Sequence, residues 1–123
     1  MTAQKVLVAL KRAYDEPVAS DGTRVLVERL WPRGISKERA QIDLWLKEVA
    51  PSPQLRKWYN HDVQKFQEFR LRYETELQSE SAQKTLAQLR EIAKQGQLTL
   101  ILASRDVEHS SAAILREILL GNP

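Results

Sequence analysis

Arg29 and Arg33 flank a Trp-Pro pair at the end of an apolar run, VLVERLWPRG (25–34), and Ser104, Arg105, Asp106 and His109 follow a second run, LTLILA (98–103). Both clusters hold groups that do chemistry. A guanidinium captures phosphate or carboxylate through parallel hydrogen bonds. A histidine three residues from an aspartate can exchange a proton near neutral pH. If the two runs are neighbouring parallel strands, their carboxyl ends share the edge where α/β proteins bind ligands. Arg29, Arg33, Trp31, Arg105 and Ser104 are then candidate ligand-binding residues, and His109 with Asp106 is the candidate acid–base pair. A helix after 104–109 would add its free N–H groups to an anion site.

Charge points to the same place. The 123 residues carry a net charge of +3, and all of that excess lies in 24–39, where Arg24, Arg29, Arg33, Lys37 and Arg39 face only Glu28 and Glu38. So local a surplus suits a small anion, such as a phosphate-bearing ligand, better than a long duplex, which needs a broad basic face. The chain has no cysteine, which excludes disulfides and thiolate nucleophiles or metal ligands. His61 and His109 lack the HxH or HExxH spacing of a metal site, so none is expected. No glycine-rich phosphate loop or GxSxG elbow occurs, and no cofactor is assigned. With no membrane-length apolar segment or secretory leader, the expected location is the cytoplasm.

Each candidate also has a plainer use. Arg29 can tie a loop to the sheet through Glu28 or Asp106. A tryptophan beside proline packs over a core edge more readily than it stacks on a base. His61, next to Asp62, reads as a helix-cap or surface residue.

The elements that must position these groups follow from periodicity. Apolar runs predict strands at 5–10, 24–29 and 97–103, the first buried on both faces. Asp21-Gly22 marks a turn, and Ser36 an N-cap. Residues 42–49 fit either period and are read as extended. Ser52-Pro53 begins a short helix that Asn60 ends. Phe66, Phe69, Tyr73 and Leu77 form a helical stripe within 62–78. A helix at 82–95 stops at Gly96 as a C′ residue, and AAILREILL is the last helix. The fold class is α/β: a single domain over 1–123, with a small, mostly parallel sheet covered by helices.

Three blocks carry a family resemblance: DGTRVLVERLWPRGISKE, DLWLKEVAPSPQLRKWYNHD and SRDVEHSSAAILREIL. Together they resemble the YeaO-like family, a bacterial and archaeal domain of unknown function, from about Val6 to Leu119. This sequence departs from the family pattern at Glu28, Ser104, Arg105 and Ser110. The resemblance implies a compact α/β domain and no established reaction. Three functional classes stay open. The first is a small-molecule or nucleotide enzyme with His109 as acid–base and Arg29 and Arg33 as anion clamps. The second is a non-catalytic interaction protein in which the arginines staple the fold. The third, ranked last because the chain is nearly neutral, is a nucleic-acid-binding module.

Overall fold

The computed structural model describes residues 7–121. The apolar runs become four strands, β1 (Val8–Arg12), β2 (Thr23–Leu26), β3 (Leu44–Trp45) and β4 (Leu98–Leu102). All pair in parallel, in the order β1-β4-β2-β3. The helices are α1 (Lys37–Ala40), α2 (Pro53–Tyr59), α3 (Phe66–Glu76), α4 (Glu80–Gln95) and α5 (Ser111–Leu119). This is the expected α/β domain with a small parallel sheet covered by helices.

Alternation along the strands sorts the core onto two faces. Val25, Val27, Leu98, Leu100 and Leu102 join the main core with Phe69, Tyr73, Leu86, Leu89 and Leu115 of the helices. On the other face Leu26 and Ile101 pack with Ala13, beneath Trp31, Ile42 and Trp45. Each fully buried valine, leucine, isoleucine or phenylalanine among them contributes about 1.5–3 kcal/mol. No described helix is long and apolar enough to cross a membrane.

Three expectations are corrected in detail. The first strand is an edge strand at Val8–Arg12, half-buried rather than enclosed. Lys5 and Val6 lie outside the described residues. Its polar end explains the shift, because Lys11 reaches Asp21 and Arg12 reaches the carbonyls of Ala103 and Ser104. The helix expected over 62–78 begins as a 3-10 turn at Val63–Lys65, capped by Asp62, before α3. Gly96 ends α4 in an extended conformation (φ 168°), not the left-handed one. At Gly22 a glycine is required: φ is +64°, and a Cβ would sit 2.2 Å from the Gln97 carbonyl oxygen.

Asp21 joins three strands. Its carboxylate accepts from Lys11 Nζ of β1 (3.1 Å) and from Arg24 Nη1 of β2 (2.7 Å), while its carbonyl accepts from Thr99 Oγ1 of β4 (2.7 Å). Asp21 is 7% exposed and Arg24 4%. Burial pushes the Asp21 carboxyl up, but the Val18 amide, Lys11 and Arg24 outweigh it and hold it below its ordinary 3.8. A lowered carboxyl stabilises the fold above its unfolded value, and that contribution is lost as pH falls through the lowered folded value. Removing one partner of a buried pair leaves the other charge uncompensated. Asp21→Ala is therefore expected to lose about 3–5 kcal/mol at pH 7 in urea unfolding, and to lack the part of the wild-type acid transition below pH 3.8 that Asp21 supplies. A loss under about 1 kcal/mol would show that the Asp21 node is dispensable.

Candidate functional site

Beyond the carboxyl ends of β2 and β4 lies a cleft of about 680 Å³. The strand ends contribute Glu28, Ala103 and Ser104, and α2 contributes Arg56, Lys57 and Tyr59. Asn60 and His61 follow from the next loop, and His109, Ser110 and Ser111 from the entry to α5. Helix α2 starts where the sequence indicates. Ser52 Oγ accepts from the Leu55 amide (3.1 Å) and donates to Glu76 Oε2 (2.6 Å), with Pro53 in the first turn. It ends in two successive left-handed residues, Asn60 (φ 46°) and His61 (φ 55°). This turn sends the chain back towards the sheet and leaves His61 on the cleft. Asparagine tolerates this conformation at a helix end, whereas His61 pays roughly 1–2 kcal/mol for it.

His109 is held firmly. Its Nδ1 lies 2.8 Å from Asp106 Oδ2, and its amide donates to Asp106 Oδ1 (3.3 Å). With Nδ1 donating to the carboxylate, Nε2 is left as the acceptor. The Phe66 ring meets the imidazole edge-on at 5.1 Å. Tyr59 Oη donates to the His109 carbonyl (2.7 Å), and burial, then Asp106 and Asp62, push this hydroxyl above 10.0 and keep it protonated. His61 Nδ1 is 3.5 Å from Ser104 Oγ, at the limit of a hydrogen bond. Glu28 Oε1 accepts from the Ala103 amide (3.2 Å). Burial raises the Glu28 carboxyl above 4.5, against the Ala103 bond and the positive fields of Arg56 and His61.

From the wall of the cleft inward three rings stack in a column. Tyr59 lies 4.1 Å from Phe69, and Phe69 lies 5.9 Å from Tyr73, both pairs nearly parallel. Tyr73 Oη donates to the Val49 carbonyl. The column thus connects the α5 entry, through Tyr59, to the segment before Pro51.

The structure brings His109 and Ser104 to the cleft, with Asp106 directly behind His109. Arg29 lies one layer back, where Nε donates to the Pro51 carbonyl (3.3 Å) and Nη2 to the Ala50 carbonyl (3.0 Å). Arg29 therefore ties a cleft wall to the sheet through backbone oxygens rather than through Glu28 or Asp106. Arg33 is exposed, and its carbonyl accepts from Tyr14 Oη (2.9 Å). Trp31 packs on the opposite sheet face, edge-on to Trp45 at 5.6 Å, and donates to the Ile35 carbonyl (2.7 Å). Arg105 is exposed and is not among the residues lining the cleft. No described group of three or more histidines and carboxylates is placed to hold a metal ion.

The sequence alone does not single out Arg56 and Lys57, which read as part of a short helix, or His61, which reads as a cap or surface residue. The available signal was the position of LRKWYNHD, where two cations, an asparagine and a histidine crowd the end of one short helix.

The described residues and their neighbours match a family model described as "Inactive DUF488-N3 subclade" over residues 7–122. The chain belongs to this subclade. It is 42% identical to an uncharacterised protein of Mycobacterium tuberculosis, over 93% of this chain and 94% of the relative. A protein of Mycobacterium bovis, also named as uncharacterised, matches to the same extent. The uncharacterised protein YeaO of Escherichia coli is 42% identical over 91% of this chain and 96% of its own. The YeaO-like resemblance is thereby confirmed. No solved structure matches the chain.

Two stability outcomes follow from these contacts. Arg29→Ala should lose about 1.5–3 kcal/mol, the scale of hydrogen bonds from a charged donor, whereas Arg33→Ala should stay within about 0.5 kcal/mol. Equal effects in denaturant unfolding would contradict the division of roles. The raised Glu28 carboxyl gives stability that is complete below its unfolded value and lost as pH rises through the folded value. At pH 7 the ionised side chain therefore costs stability. Glu28→Gln should melt higher than wild type at pH 7, with the gain shrinking towards pH 4.5. An unchanged or lower melting temperature at pH 7 would contradict the desolvation argument.

Proposed function

We propose that the cleft binds a small anionic molecule, such as a phosphate-bearing metabolite or nucleotide, without turning it over. The observation that carries this reading is the charge of the lining. Among the described residues, Arg56, Lys57 and two imidazoles surround a space that contains one carboxylate, Glu28. The amino end of α5 opens on the same space through Ser110 and Ser111, and a helix start favours negative charge. Arg29 has a positioning role, holding the Ala50–Pro51 wall against which the ligand sits.

Two observations speak for binding without chemistry. The subclade is described as inactive. The parts of a hydrolytic site are also divided between two histidines. A serine nucleophile needs a base within hydrogen-bond reach and a third group that orients the base. Here the oriented base is His109, whereas Ser104 faces His61. The contact between Asp106 and His109 supports one second reading, general acid–base catalysis by His109 on a bound substrate.

A thermal-shift series against inorganic phosphate, sugar phosphates and nucleotides tests both readings. A ligand at a hundredfold excess over its dissociation constant adds about 2.7 kcal/mol of stability. A phosphate-bearing compound should raise the wild-type melting temperature, and Arg56→Ala with Lys57→Ala should abolish the shift in a protein that still unfolds cooperatively. No shift in wild type, or a shift that survives in the double variant, would overturn the anion site. Conversion of the bound compound by wild type but not by His109→Gln would establish the acid–base reading instead.

A further inference from the structure

Glu28, the single carboxylate of the cleft among the described residues, fits poorly with a ligand that is only an anion. Glu28 forms no salt bridge among the described residues. Its Oε1 accepts from the Ala103 amide, and no other hydrogen bond to the carboxylate occurs among those residues. No buried side-chain oxygen or nitrogen among them lacks a partner, so Oε2 must keep its access to the cleft. Arg56 and His61 act on Glu28 only through their fields, from beyond ion-pair distance. A ligand that fills the cleft strips water from Oε2. An unpartnered carboxylate would then oppose any bound anion.

We infer that the ligand is dipolar, with an anionic group for Arg56 and Lys57 and an ammonium or N–H donor for Glu28. The class is an amino-bearing phosphate or an amino-acid-like zwitterion. The ammonium repairs the lost hydration of Glu28 with a charge-assisted hydrogen bond, while the anion meets the cations of α2. This inference rests on the anion site proposed above and adds a second recognition point to it.

Phosphoethanolamine and ethyl phosphate form a matched pair of probes, because they present the same phosphate with and without an ammonium. Calorimetric titration of the intact chain should give phosphoethanolamine about tenfold or more tighter binding, the scale of one charge-assisted hydrogen bond. In Glu28→Gln, which keeps an acceptor for the Ala103 amide, the preference should vanish while ethyl phosphate still binds. Equal affinities in wild type, or a preference that persists in Glu28→Gln, would overturn the dipolar ligand and leave the anion site standing. Failure of both probes, together with a silent phosphate series, would overturn the two proposals at once. Should Glu28→Gln not fold, the wild-type comparison of the two probes decides the matter alone.

Discussion

Three neighbouring strands meet at Asp21, and the sheet depends on that meeting. In a parallel sheet each strand must be brought back to its starting edge by a long connection, so local turns cannot set register. Here a buried carboxylate and one carbonyl do so, taking Lys11, Arg24 and Thr99 from β1, β2 and β4. With that edge fixed, the strands run in step and release their chains together at the opposite edge, where the cleft forms.

The recurring device of the irregular segments is a guanidinium bonded to backbone oxygen. At the cleft edge Arg12 holds Ala103 and Ser104, and Arg29 holds Ala50 and Pro51. At the Asp21 edge Arg24 does the same for Ala40 and Gln41. Irregular segments past a strand end carry carbonyls with no ladder partner, and burying them unpaired is costly. A fork with five donors satisfies two such oxygens at once. This accounts for a hydrophobic strand that runs into cations: at Arg24 and Arg29 the surplus of 24–39 is invested in loop carbonyls.

That device also marks the boundary of what the sequence discloses. Strands and helices were legible because alternation, stripes and caps such as Ser36 and Ser52 are local patterns. The reading of 42–49 as extended holds only at Leu44–Trp45, where pairing with β2 decides between two periods, and Lys47–Val49 turns as a 3-10 helix instead. The partners of Arg29 are backbone atoms, which have no letter in the sequence, so its role reads as an unspent charge. His109 with Asp106 was legible through their spacing of three. Arg56, Lys57 and His61 were not, because tertiary packing of α2 across the strand ends makes them neighbours of Glu28 and Ser104.

The stacked rings of Tyr59, Phe69 and Tyr73 have a bearing on the shape of the cleft. The hydroxyl at one end grips the carbonyl of His109, and the hydroxyl at the other grips that of Val49, just before Ala50 and Pro51. The two sides of the opening are therefore gauged against one rigid column, as the jaws of a calliper are set by a spacer. The aperture is written in the thickness of aromatic rings on α3, a helix that presents only Phe69 to the cleft itself. Tyr73, the one ring of the column outside the lining, thus bears on the width of the opening from a place that no ligand in the cleft reaches.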